Sequence, residues 1–200
     1  KTQKQRDGMI FMMQTCRGNE ALYKNMQLLS GYFLTGETRQ QELFVITGPG
    51  ANGKSTYLNI MGTLLNELCI TTPIQTFTQQ DGNKIPNDIA RMQSRRLVLT
   101  SEADENMVFS EPLLKMLTGQ DKIPARYLYG EYFEFTPQFK ILMAVNHLPK
   151  IKGNDPAIWR RFKIIPFKAS IPRRQQDPQL LNKLQSEMPG ISFNQKCQGY

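Results

Sequence analysis

The chain has 200 residues and a mass of 23.0 kDa, enough for one domain with a substantial core. Lys and Arg total 25 against 17 acids, a net charge of +8, which favours a polyanionic partner but also fits a merely soluble basic protein. The apolar runs are far too short for a membrane span, so no membrane partner is expected, and Cys16, Cys69 and Cys197 lack both metal-ligand spacing and the look of a disulfide framework.

Residues 1–40 begin polar and turn helical, with Leu22, Met26, Leu29 and Phe33 on one face and Ser30-Gly31 and Gly36 marking the end. This predicts a small helical N-terminal segment whose plainest role is packing. Glu42-Leu43-Phe44-Val45-Ile46-Thr47 is a short apolar run typical of a buried parallel strand. The next stretch, Gly48-Pro49-Gly50-Ala51-Asn52-Gly53-Lys54-Ser55-Thr56, fits the phosphate-loop pattern G-x-x-x-x-G-K-[ST]. Leu58, Met61, Leu65 and Leu68 then recur at helical spacing, so a helix opens near Gly53. Strand, glycine loop and helix N-terminus together aim N–H groups and a dipole at one point, as a polyphosphate requires. In that pattern Lys54 reaches the β- and γ-phosphates, and the Ser55 hydroxyl takes a place on Mg²⁺.

Downstream, Ile70–Phe77 reads as a second strand, 79–86 as a polar loop, and 87–93 as a short helix. Leu97-Val98-Leu99-Thr100-Ser101-Glu102 is a third buried strand ending in an acid. A carboxylate there can polarise an attacking water or hold a metal's hydration shell, although an acid can also simply end a strand. Ser110 caps a helix carrying Leu113, Leu114 and Met116, which Gly119 stops. Residues 122–128 and 132–136 form a hairpin pattern about a Tyr129-Gly130-Glu131 turn. Residues 140–145 make a fourth strand with Asn146 at its carboxyl end. Asp155-Pro156 opens a short helix over 157–161, Phe162–Pro166 is a fifth strand, and Asp177-Pro178 opens a last helix that Pro189-Gly190 ends.

Strands alternating with helices predict an α/β fold, a parallel sheet between helical layers, with ligands beyond the carboxyl ends of the strands. The phosphate loop, Glu102 and Asn146 all fall at such ends. Asn146 can orient water or sense the γ-phosphate, or make a local turn bond. Arg160 and Arg161 stand at the amino end of the fifth strand, away from the chain's own nucleotide. An arginine there can act on a neighbouring subunit's transition state, or be a plain surface residue. The hairpin leaves the same amino edge and offers Lys122, Arg126, Tyr127 and Tyr129 to a nucleic-acid strand, although aromatic hairpins often only pack.

Taken together, these motifs resemble a superfamily 3 helicase of the AAA+ class, of the phage/plasmid primase–helicase type. The resemblance spans most of the chain: Gly31 to Gly36, the phosphate loop, Ser101-Glu102, residues 114–121 with Ala125-Arg126, Phe139-Lys140, Asn146-His147-Leu148-Pro149, and Trp159-Arg160-Arg161-Phe162 closing in Ile165-Pro166-Phe167. It implies an AAA+ P-loop NTPase with a five-stranded, mainly parallel sheet, a β-hairpin before the sensor 1 strand, and residues 41–170 as the motor. Residues 1–40 form the helical N-terminal segment in this reading and 171–200 a truncated helical C-terminal one. Its implied activity is an ATP- and Mg²⁺-dependent ring, commonly hexameric, that moves 3′ to 5′ on single-stranded DNA and unwinds forks. Lys54 and Ser55 match Walker A, Glu102 Walker B, Asn146 sensor 1 and Arg161 the arginine finger, with Arg160 as the alternate. Two departures stand out. The turn at 128–131 has no lysine at its tip, and Ser101 stands where some relatives carry a second acid, leaving Ser55 and Glu102 to hold the metal.

Because the chain opens at Lys1 without an initiator Met, it is expected to be a piece of a longer protein, with a primase or polymerase domain elsewhere. Its compartment is expected to be reducing: the cytoplasm of a bacterial host or another replication compartment. Two other classes compete, a P-loop nucleotide or small-molecule kinase and a non-catalytic nucleotide-dependent DNA-binding or assembly module. A kinase has no use for paired arginines at the amino edge, and a GTPase signature fails at Asn182-Lys183-Leu184-Gln185.

Overall fold

The computed structural model of the chain describes residues 6–79, 87–101, 107–148, 150–153 and 155–186. Five parallel strands form the central sheet: β1 (Leu43–Thr47), β2 (Cys69–Thr71), β3 (Leu97–Ser101), β6 (Lys140–Val145) and β7 (Phe162–Pro166), in the order β2-β3-β6-β1-β7. A separate antiparallel ribbon pairs β4 (Ile123–Arg126) with β5 (Tyr132–Phe135). The helices are α1 (Arg6–Thr15), α2 (Glu20–Leu34), α3 (Lys54–Leu65), α4 (Asn87–Ala90), α5 (Glu111–Thr118), α6 (Pro156–Trp159) and α7 over 180–186.

Side-chain alternation sorts the core into two layers, because neighbouring residues on a strand face opposite ways. Phe44, Ile46, Leu97, Leu99, Leu142 and Ala144 face a layer built from α1, α2 and α3. Val45, Val98, Ile141, Met143 and Val145 face the other, where Ile89, Leu114, Leu117, Ile158 and the ribbon's Ile123, Ala125 and Phe135 pack. Each fully buried Leu, Ile or Phe contributes about 1.5–3 kcal/mol. In the first layer the Phe33 and Phe44 rings meet edge-on at 5.1 Å.

The expected strand at 70–77 is shorter. Pro73 lacks an N–H and holds its φ at −58°, so β2 stops at Thr71 and residues 74–77 coil into a 3₁₀ turn. The expected helix at 87–93 ends at Ala90 and continues as turns, with Ser94 at φ 62°. Ser110 occupies the N-cap of α5 but makes no side-chain capping bond. The helix expected at 157–161 is α6, shifted one residue or two earlier, with the Asp155 carboxylate accepting from the Ala157 N–H at 2.8 Å. The N-terminal segment holds two helices where the sequence pattern indicates one. The helix stop expected at Pro189-Gly190 and the thiol Cys197 lie outside the described residues, and no described helix is long and apolar enough to cross a membrane.

A cation is buried at the amino edge of this sheet. Lys140, 2% exposed, donates to the Thr35 carbonyl and lies 4.7 Å above the Tyr32 ring, tying the end of α2 to β6. Burial, reinforced by Arg96 and opposed by Glu37, pushes its pKa down from 10.5 to about 8. Below that value folded and unfolded chains both hold the proton, and the burial penalty is fully present. Between about 8 and 10.5 the unfolded chain binds more protons, so this group makes stability rise with pH. The Tm of the wild type should therefore gain on that of Lys140→Met between about pH 7.5 and 9.5. A gap that stays constant or shrinks would contradict the assignment.

Candidate functional site

The turn after β1 is shaped by residues that only a glycine-rich loop can supply. Gly48 has φ 153°, and a Cβ there would sit 2.1 Å from the Phe167 carbonyl oxygen. Gly53 adopts φ 89°, and a Cβ there would meet the Phe11 ring of α1 at 2.9 Å. Ala51 takes the left-handed region at φ 56° and accepts from the Ile171 N–H at 3.0 Å. The Asn52 side chain, 2% exposed, donates to the Phe167 carbonyl at 2.8 Å and so ties the loop to the chain leaving β7.

Lys54 opens α3 and is 7% exposed. Its ammonium donates to the Gly48 carbonyl at 2.6 Å, the Pro49 carbonyl at 3.0 Å and Asn52 Oδ1 at 3.1 Å. Burial holds its pKa below the ordinary lysine value. The N-cap of α3 is Gly53, which has no side chain to satisfy the first-turn N–H groups, and that turn contains no acid. The positive end of the helix therefore opens into a cleft of about 320 Å³ lined by residues 50–56 together with Ser101, Ala144 and Asn146. Among the described residues, none that lines it is acidic. Three features of one sign (helix end, first-turn N–H groups and an ammonium bonded to neutral oxygens alone among the described residues) suit an anion with several oxygens.

Strand parity explains why Ser101 and Asn146 join this cleft. Leu99 and Ala144 face the α3 layer, and two residues on from each the same face is reached at the carboxyl edge. β6 pairs directly with β1, Thr47 opposite Val145, which puts Asn146 beside the loop. Of the expected nucleotide residues, Gly50 to Thr56 and Asn146 are brought together, while Gly48 and Pro49 lie behind and hold Lys54. Glu102 lies outside the described residues.

Arg160 and Arg161 are at the opposite edge. The Arg161 carbonyl accepts from the Leu43 N–H at 2.9 Å, at the start of β1 and about 13 Å of strand from Thr47. Their exposures differ. The Arg161 side chain is enclosed, donating to Thr118 Oγ1 at 3.1 Å, to the Ala157 carbonyl and to Gln41 Oε1 at 3.3 Å. Desolvation, with Arg160 adding to it and Asp155 opposing, lowers its pKa. Arg160 is exposed and shares the same Gln41 oxygen at 2.9 Å. One carboxamide oxygen thus receives both guanidinium groups, a role for Gln41 that the sequence does not signal.

The ribbon projects. Tyr129 is 96% exposed at its tip, at φ 61°, and Lys122 is exposed at its base. Arg126 lies 4.8 Å above the ring of Tyr132, its cross-strand partner, a pairing that alternation along β4 and β5 could have revealed. Tyr127 is used internally: its ring stacks on Phe133 at 5.5 Å and its hydroxyl donates to the Ala90 carbonyl at 3.1 Å.

Fold and cleft together define an α/β domain with a glycine loop at the carboxyl edge of a parallel sheet. Residues 46–161, more than half of the chain, match a family of unknown function (DUF5906), and the chain belongs to that family. It is 34% identical over 136 residues to "Putative helicase L207/L206" of Acanthamoeba polyphaga mimivirus, across 67% of this chain and 14% of that protein. It is 31% identical over 131 residues to the like-named 022R of Frog virus 3 (isolate Goorha), across 62% of this chain and 13% of that protein. The chain thus spans about a seventh of these relatives. Its fold is similar to the apo A form of the NrS-1 C-terminal region, with a TM-score of 0.69 and 13% identity, covering 91% of this chain and 43% of the other.

Proposed function

We propose that this chain is the ATP-driven motor segment of a DNA helicase, of the AAA+ superfamily 3 type. The single observation that carries this reading is the separation of parts. The cleft at the carboxyl edge gathers Lys54, Ser55 and Asn146, while Arg160 and the ribbon stand elsewhere. The viral relatives' descriptions as helicases support the same class. In this reading the N–H groups of residues 50–56 and the Lys54 ammonium hold the β- and γ-phosphates, and Ser55 with Glu102 holds Mg²⁺, which supplies charge neutralisation. Asn146 orients water, and an arginine from a neighbouring copy reaches the phosphates. The working form is a ring, a hexamer by family analogy, moving 3′ to 5′ on single-stranded DNA, with a primase or polymerase domain in the same full-length protein.

The deciding measurement is ATP hydrolysis with and without single-stranded DNA, alongside sizing with nucleotide and unwinding of a tailed duplex. DNA-stimulated hydrolysis with unwinding is expected; hydrolysis indifferent to DNA, or transfer to a small acceptor, would overturn the reading. Within it, Arg126→Ala should flatten the salt dependence of DNA binding by about one unit for each phosphate that the guanidinium neutralises. Tyr129→Ala should weaken binding roughly tenfold by removing a stacked base, equally across sequences. A loss confined to one sequence would refute a tracking role.

A further inference from the structure

We infer that α4 is a latch that sets the bearing of the ribbon, with Asn87 and Tyr127 as positioning residues. A two-stranded ribbon is at best marginally stable by itself, so something outside it must fix where its tip points. At the base, Ile123 and Ala125 are fully buried. Near the tip, two hydrogen bonds among the described residues leave the ribbon, and both end on α4. The Leu128 N–H donates to Asn87 Oδ1 at 2.9 Å, and the Tyr127 hydroxyl donates to the Ala90 carbonyl at 3.1 Å. The Tyr127–Phe133 stack braces the second of these from within the ribbon.

Helix α4 is itself immobilised. Ile89 and Ala90 are fully buried, and Asp88 Oδ2 accepts from Thr76 Oγ1 at 2.9 Å. It also belongs to the same stretch of chain as β3: Met92 is fully buried, the Arg96 N–H donates to the Leu68 carbonyl at 2.7 Å, and β3 then runs to Ser101 on the cleft wall. The piece of chain that walls the cleft is thus the piece that grips the tip. The side chains of Leu128 and Tyr129 face solvent at the grip, 68% and 96% exposed.

The role in DNA engagement rests on the proposed function; the latch itself does not. Asn87→Ala removes the acceptor, and Asn87→Asp restores an oxygen at the same place. With Asn87→Ala, amide exchange at 126–131 should speed up about fivefold, as expected for one missing hydrogen bond near 1 kcal/mol. DNA stimulation should fall by a similar factor, basal hydrolysis should stay unchanged, Tm should fall by no more than about 2–4 °C, and Asn87→Asp should recover most of these losses. Tyr127→Phe should also speed exchange at the tip. Unchanged exchange in Asn87→Ala overturns the latch. Faster exchange with full DNA stimulation overturns its role in DNA engagement. No DNA stimulation in the unaltered chain overturns the helicase reading and that role together, while exchange still decides the latch.

Discussion

Lys54→Ala should lower kcat for ATP hydrolysis by about 10²-fold or more, the scale for losing one preorganised charge at a transition state. The structure sharpens this expectation. The ammonium is enclosed among three oxygen acceptors of its own loop, so it is held at the cleft by the fold and not by chance of side-chain reach. Those acceptors are neutral, and burial disfavours the charge, so a phosphate offers the cation a stronger partner than it now has. Lys54→Arg should not rescue, because a planar guanidinium cannot occupy the same niche. Steady-state turnover at saturating ATP reads the effect, and unchanged turnover would remove the loop from the chemistry.

The second large effect separates the two arginines. Arg160→Ala should cut kcat by about 10² or more with Tm nearly unchanged, because its side chain is exposed and, among the described residues, bonded only to Gln41. Arg161→Ala should cut kcat by a comparable factor and also destabilise the fold by about 2 kcal/mol, since it abandons the buried Thr118 on α5 and the half-buried Ala157 carbonyl on α6. Neither should change nucleotide affinity much. Mixing Arg160→Ala with Lys54→Ala should restore part of the activity, because one subunit keeps an intact loop and the other an intact arginine. If no mixing ratio restores activity, the sites are not shared between copies.

Much of this arrangement is legible in the sequence. Apolar runs at β1, β3 and β6 announce strands buried on both faces, and the glycine loop between β1 and α3 marks the sheet edge where the cleft opens. What is not legible depends on distant packing. Lys140 begins the fourth strand with nothing nearby in the sequence to show what covers it, yet Tyr32 and Thr35, more than a hundred positions earlier, enclose it. Arg161 stands next to Arg160 in the sequence, and only the placement of Thr118 and Ala157 encloses one while the other stays exposed beside Gln41. Tyr127 and Tyr129 look alike as hairpin aromatics; Asn87 and Ala90 decide which one supports and which one is presented. Helix α1 gives little signal because its start is polar and its Met-rich face lacks a clear apolar stripe.

That first helix bears on how the chain can be cut. Phe11 and Thr15 press against the position where Gly53 turns the loop into α3, and Phe11 is 2% exposed. The segment whose plainest role in the one-letter code is packing is thus the back wall of the glycine turn beside the cleft. Any shortened version starting at the first strand would leave that wall open to water and let the turn relax.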